Sequence, residues 1–418
     1  MNNQSELGDL EIFYIKSLMK QYDDNLRDIA KSINKNESYL YDIMNHRRSL
    51  SFDIFEKICT YYHVSYDNDI SLYDYGYNLI INITEAFINK EYSIILNYRN
   101  EYISKRPQLI NSKGFAFVPL IDLSMCFIYR CNTYVKESVD KASLFMGLYD
   151  DNISYAFFVY YVYTNPIINN IDQVGRFIEY LSNHYSLEKI NPYLRPMVYF
   201  HIGDYYDLTN DLNKSLLYFN KSIEENKDLY LIERVLQVKT HLAILVGRCG
   251  QNQSAINLLN EVLEVSLSKN YTVRVTKCYN NLSYMHFLLG NYKQSIEYIH
   301  LSKQLGTEFQ QLAYYEVLNI YYIDGKDKAL DVLKEYNDHV DDQYTLCVLA
   351  LIDHLLNERY YKFKQMLKKV ESYTSLTNDY VEMDLIYSFI INHLKISNNE
   401  TLLVEMLQKY FDFKQKRF

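Results

Sequence analysis

The feature that most constrains this chain is a set of small residues at a long, fixed interval. Ser215, Ala255, Ser295 and Ala329 follow one another at 40, 40 and 34 residues. Each lies in a stretch whose apolar residues recur at helical spacing. A second set, Gly203, Ala243 and Ser283, keeps the same step of 40. A small residue in each of two helices lets the pair cross closely, and Asn210, Gly250, Gly290 and Gly325 stand where a turn between them is needed. Weaker units centre on Ile95, Lys136, Gly175, Phe363 and Thr401, which makes about eight or nine in all. Stacked helix pairs from about residue 72 onward are therefore expected.

Composition agrees with this reading. At 418 residues the chain exceeds one ordinary core, and 48% hydrophobic content excludes disorder. Only 5 Pro and 11 Gly are present, which disfavours strands joined by tight turns. The 45 Tyr, beside no Trp, read together with the Asn, Ile and Lys content as AT-rich coding rather than as a binding stripe. A net charge of −9 argues against broad coating of nucleic acid or of an anionic membrane. No apolar run is long enough to span a membrane, and the polar start, residues 1–6, is unlike a signal peptide. A cytoplasmic protein is expected. Cys59, Cys126, Cys131, Cys249, Cys278 and Cys347 form no CxxC pair, so they are expected as small core residues rather than as zinc ligands.

The first 65 residues have a different pattern. Leu10, Phe13, Leu18 and Met19 sit among charges and predict an amphipathic first helix. Asp24 or Asn25 can cap the second, whose apolar face is Leu26, Ile29, Ala30 and Ile33. Asn34 suits a left-handed turn. Asn36 can cap a third helix that buries Leu40 and Ile43. Ser51 can cap a fourth with Phe52, Phe55, Ile58 and Cys59 facing inward.

Residues 26–48 resemble the Cro/repressor-type helix-turn-helix. Ile29-Ala30 falls on that family's Leu-Ala pair and Asn36 on its capping Ser. Leu40 and Ile43 fall on its two inward positions, and residues 46–51 on its Gly-Lys-Arg-Asn-Pro-Ser stretch. Met44, His46 and Leu50 depart from the usual Glu, Gly and Pro. The resemblance implies a DNA-binding set of Lys35, Asn36, Glu37, Ser38, Tyr41, Asp42, Arg47 and Arg48. In it Glu37 would accept from cytosine, Ser38 would touch a base edge or phosphate, and Lys35, Arg47 and Arg48 would meet the backbone. Residues 1–65 hold eight Lys/Arg against ten Asp/Glu, whereas residues 31–48 hold four against two, so positive charge is sorted toward that edge. The alternative is a degenerate helical cap that binds protein.

The repeats resemble the tetratricopeptide repeat. Tyr199, Ile202, Gly203, Tyr206 and Phe219 match one unit, and Leu282, Ser283, Gly290, Tyr292 and Ile299 another. A generic helical solenoid is the alternative. In the repeat register Gln237, Lys277, Asn280, Tyr284 and Tyr314 point into a concave face suited to an extended peptide. No GxxxxGK[ST], GxGxxG, HExxH or GxSxG sequence occurs and the ten His are scattered, so no enzyme, catalytic residue, cofactor or metal is expected.

Both motifs in one chain resemble the RRNPP group of peptide-responsive regulators (the Rap, Rgg, NprR, PlcR and PrgX types), and within it the RstA type of spore-forming anaerobes. The expected class is all-α: an N-terminal helix-turn-helix domain (1–66), a connecting segment (67–80) and a right-handed tetratricopeptide-like α-solenoid (81–418). The resemblance implies a transcriptional regulator working as a homodimer on a palindromic double-stranded DNA operator. A short signalling peptide bound in the repeats would modulate it, as in quorum sensing, with no membrane partner. The alternatives are a Rap-like regulator acting on a response regulator or kinase, and a ligand-independent helical adaptor.

Overall fold

The computed structural model describes residues 7–129, 131, 133–168, 171–306, 312–336, 340–377 and 380–417. The polar start read as residues 1–6 lies outside them. The described residues form 22 α-helices and three short 3-10 turns, with two isolated bridges and no strand. The chain divides into two compact units, 1–205 with 224–231, and 206–223 with 232–418.

In the first unit, α1 (Asp9–Gln21), α2 (Leu26–Ser32), α3 (Glu37–Met44) and α4 (Phe52–Tyr61) come first. The capping side chains do what their chemistry dictates. Asn25 accepts from the Asp28 amide at 3.0 Å and Asn36 from the Tyr39 amide at 2.8 Å, each satisfying an orphan donor of a helix start. Ser51 stands at the start of α4 but makes no side-chain cap. Asn34 is left-handed, with φ 56°. The buried faces of α1 and α4 match the sequence reading at Leu18, Phe55, Ile58 and Cys59 and depart from it elsewhere. Ile12, Tyr14, Ile15 and Leu18 are buried in α1, while Leu10, Phe13 and Met19 are only half-buried. In α4 Ile54 is buried and Phe52 exposed.

α5 (Ile70–Ile88) follows, so most of the segment read as a connection, 67–80, is the first half of a long helix. Asp69 caps it through the Ser71 amide at 2.9 Å. The turn Lys113–Phe117 packs under both α1 and α5. The approach is close at Gly114, where a Cβ would meet the Leu72 carbonyl oxygen at 2.5 Å, so only glycine fits.

The predicted repeat is visible in the backbone. Left-handed residues end helices at Asn210, Gly250 and Gly290 and again at Tyr230 and Asn270, each set stepping by 40. Ser215, Ala255, Ser295 and Ala329 are all fully buried. The crossing is tight enough that the Ser295 hydroxyl donates to the Ser283 carbonyl at 2.8 Å. In the second unit Ile232–Arg248 packs on Asn252–Ser268, which packs on Thr272–Leu288, which packs on Tyr292–Gln304. Ile95, Lys136, Gly175, Phe363 and Thr401 all fall in second helices of pairs.

Leu282 is fully buried with Ala243, Ala255, Ile256, Leu259 and Met285. Replacing it by Ala removes apolar contacts and leaves a cavity, so the second unit should lose about 2–5 kcal/mol in urea unfolding. A loss below about 1 kcal/mol would mean that this crossing is not closed around Leu282.

Candidate functional site

The N-terminal site is the exposed edge of α3 and the loop behind it. Leu40, Ile43 and Met44 are buried, which leaves Glu37, Ser38 and Tyr41 exposed. Asn36 is spent on capping: its Oδ1 takes the Tyr39 amide and also the Ser38 hydroxyl at 3.1 Å. Asp42 is half-buried, and its carbonyl receives the Arg47 and Arg48 amides at 2.8 and 3.2 Å. Asp42 therefore shapes the loop more than it faces outward.

Three cations gather at this edge on aromatic faces. The Arg48 guanidinium lies 4.5 Å from the Tyr39 ring centroid, Lys35 Nζ 5.2 Å from the same ring, and Arg47 5.8 Å from the Tyr41 ring. None of the three is in an ion pair among the described residues. A guanidinium stacked on a ring keeps its N–H edge free for a phosphate, so the rings hold the cations without neutralising them. Tyr39 was not singled out from sequence. Its signal was a position three residues past the Asn36 cap, within reach of both Lys35 and Arg48.

The departures from the helix-turn-helix pattern are accommodated. His46 adopts φ 57°, the conformation for which the family uses Gly, and its Nδ1 sits 2.8 Å from Asp9 Oδ1. Leu50, in place of Pro, is fully buried, and its carbonyl accepts the Leu7 amide at 3.2 Å.

The second candidate site is on the first helices of the repeats. Lys277 is exposed, and Gln237, Asn280 and Tyr284 are half-buried. Gln237 Oε1 accepts from Arg234 at 2.9 Å, and Asn280 Oδ1 from the Ser302 hydroxyl at 2.6 Å. Tyr284 packs on Tyr315 with ring centroids 5.7 Å apart. Tyr314 departs from the expectation. It is fully buried in the hydrophobic core of its unit and so lines no open face. The repeat step shortens from 40 to 34 before this helix, and an error of one or two residues turns a helix face by 100–200° at about 3.6 residues per turn. Although Lys277 reaches solvent, partial desolvation by its surroundings lowers its ammonium from the ordinary value, and the adjacent Arg274 charge adds to this. Arg234 and Arg274, both buried, were missed from sequence, although their 40-residue separation was readable.

Cys59, Cys126, Cys278 and Cys347 are buried, whereas Cys131 and Cys249 are exposed, so the expectation of six core thiols is corrected for those two. Both follow the last turn of a helix, where a side chain has lost the packing of its own helix face. Among the described residues no group of three His, Cys, Asp or Glu is placed to hold a metal ion, and no helix is long and apolar enough to cross a membrane.

A tetratricopeptide repeat matches residues 198–229. No curated protein sequence matches the chain. Among solved structures, a Rap protein complexed with competence and sporulation factor is similar at 14% identity, TM-score 0.67, covering 83% of this chain and 98% of that one. The apo quorum sensor NprR of B. thuringiensis is similar at 13% identity and TM-score 0.61, covering 81% and 98%. Aspartyl phosphate phosphatase F of Bacillus subtilis is similar at 13% identity and TM-score 0.54, covering 84% and 96%.

The Asn36 cap is the local device that starts α3. Asn36→Ala should cost about 1 kcal/mol of stability, and Asn36→Ser should restore most of it. Equal melting of Ala and wild-type proteins would show that the cap does not hold this helix. At identities of 13–14% the likeness is one of fold, and this chain has the tetratricopeptide-like helical architecture of the Rap and NprR proteins.

Proposed function

We propose that this protein is a sequence-specific DNA-binding regulator whose operator affinity is set by a short signalling peptide held on the repeats. The observation that carries the DNA reading is the unpaired cation cluster of Lys35, Arg47 and Arg48 on Tyr39 and Tyr41, beside the exposed Glu37, Ser38 and Tyr41. Cations on the loop suit the phosphates, and side chains at the start of α3 suit the base edges of a major groove. A homodimer on a palindrome would place two such edges about 34 Å apart.

The peptide reading is supported by the half-buried, partly bonded Asn280 and Gln237 and by the fold shared with a Rap protein complexed with competence and sporulation factor and with a quorum sensor. A peptide shifts operator affinity only through different affinities for two shapes of the protein, typically by about 1–3 kcal/mol. The likeness to an aspartyl phosphate phosphatase favours a second reading, in which the chain docks on a phosphorylated protein partner.

Selection of the full-length protein on a random double-stranded DNA library tests the first reading. Wild type should enrich a palindrome. On that sequence the double variant Arg47→Ala, Arg48→Ala should bind more weakly and flatten the plot of log affinity against log salt by about two phosphate contacts. Unchanged affinity and slope would remove those residues from the interface. No enrichment would move the weight to the protein-partner reading.

Asn280 tests the peptide reading. Among peptides that the full-length protein retains from a random heptapeptide library, Asn280→Ala should weaken affinity about tenfold, the size of a hydrogen bond lost at a partly buried site. Undiminished affinity would take Asn280 out of the peptide site.

A further inference from the structure

The helix Val118–Ile128 ends on a turn that brings two cysteines together. The Cys131 amide donates to the Cys126 carbonyl at 2.8 Å. A bond of this kind, from an amide to the carbonyl five residues earlier, is the Schellman closure of a helix end. The chain uses it elsewhere, from Val64 to Cys59, from Gln251 to Val246 and from Asn291 to His286. Of the six cysteines, at 59, 126, 131, 249, 278 and 347, only 126 and 131 stand five residues apart. At this end alone, therefore, both bonded residues carry a thiol.

The closure sets the distance between them. With planar peptides and standard bond lengths, an N···O separation of 2.8 Å holds the two Cα atoms within about 6.7 Å. A disulfide spans roughly 4.4–6.8 Å between Cα atoms, so the backbone already meets that requirement. The side chains of the two residues joined by such a closure commonly meet. Here burial pushes the Cys126 thiol up to about 11, and the adjacent Cys131 thiol adds to this. The two sulfurs also differ in access, since Cys126 is buried and Cys131 exposed. A peroxide reacts with the sulfur it can reach, so Cys131 meets the oxidant and Cys126, held as a thiol beside it, is placed to resolve the product.

We propose that Cys126 and Cys131 are an oxidisable pair, a modification site at which hydrogen peroxide closes a reversible disulfide. Cys131, as its thiolate, attacks one peroxide oxygen. The O–O bond breaks, and the departing hydroxide takes up the proton that Cys131 released. This gives one water and a sulfenic acid at Cys131. The Cys126 sulfur then attacks the Cys131 sulfur. The S–O bond breaks, and the departing hydroxide takes the Cys126 proton as a second water. Two thiols lose two electrons in all, and one peroxide is reduced to two waters. The bridge pins the end of Val118–Ile128 to the segment that leads into Val135–Ser143, a helix packed against it. Closing so short a loop gains little stability and one sulfur stands exposed, so a dithiol reductant should reopen the bridge. The site rests on neither the DNA reading nor the peptide reading.

Peptide mapping of the full-length protein tests it. Trypsin cuts after Arg130, between the two cysteines, so the bridge joins peptide 114–130 to peptide 131–136. After hydrogen peroxide and alkylation of the remaining thiols, wild-type monomer should yield that linked pair, and dithiothreitol should remove it. Cys249, exposed with no cysteine within five residues of it, is the internal control and should enter no comparable link. With dimedone present, Cys126→Ala should accumulate the sulfenic adduct at Cys131, where wild type carries little.

A wild type in which dimedone traps Cys131 as fully as in that variant overturns the pairing, because Cys126 then resolves nothing. Recovery of both peptides as alkylated free thiols, at peroxide doses that oxidise Cys249, overturns it too. A link confined to the dimer band of a non-reducing gel overturns it in favour of bridging between copies. Should Cys126→Ala lose its helical signal, the wild-type map decides alone: the linked pair in the monomer supports the proposal, and its absence overturns it.

Discussion

Tyr14 is the contact on which the arrangement of the first unit depends. It is 2% exposed, and its ring lies 4.6 Å from Tyr66, 5.0 Å from Phe115 and 6.2 Å from Phe55. Its hydroxyl donates to Asn111 Oδ1 at 2.9 Å. One side chain thereby joins α1, α4 and the turn beneath α5. Tilted and edge-on aromatic contacts add to area burial and restrict orientation, and the hydroxyl meets its need for a partner while buried. The same seam is closed by the Asp67 amide on the Asn111 carbonyl at 2.8 Å. The four N-terminal helices are therefore packed against the first repeat helices rather than tethered by a loose linker.

The second unit is governed by a different constraint, the crossing distance between helices. Ser283 with Ser295 and Ala243 with Ala255 are small and buried. Larger side chains there would force the helices apart. The one serine pair, Ser283 with Ser295, also satisfies itself, so close approach carries no stranded hydroxyl at Ser295. Left-handed residues at each helix end keep the pairs in step. A regular frame of this kind makes any exception visible. Where Gln237 serves as acceptor in one repeat, the next has Lys277, and the buried Arg274 Nε makes no hydrogen bond among the described residues.

The N-terminal edge solves a charge problem. The first 65 residues are acidic overall, with ten Asp/Glu against eight Lys/Arg, yet the edge of α3 is cationic. Aromatic rings rather than carboxylates hold Lys35, Arg47 and Arg48, so their charge is not spent internally. The abundant tyrosines, read from composition as coding bias, are put to structural use here and in the Tyr14 cluster.

What the sequence by itself determined was local or periodic. The Asn25 and Asn36 caps, the left-handed Asn34 and the 40-residue step of small residues and turns were legible. Each is decided by a few consecutive residues or by repetition, with little help from distant neighbours. What only the tertiary structure decided was which side of each helix is covered. Ile54 rather than Phe52 is buried, Tyr314 lies in the core rather than on an open face, and residues from Ile70 extend as helix where a connection was read. Cys131 and Cys249 are exposed because they lie past the last turns of their helices, where no helix face packs them. Burial depends on the neighbouring helix, and a helix face turns by about 100° with each residue, so a small error in register exchanges inside for outside. The unpaired state of the Arg274 Nε belongs here too, because the absence of an acceptor is a property of everything packed around the side chain and not of the residue itself.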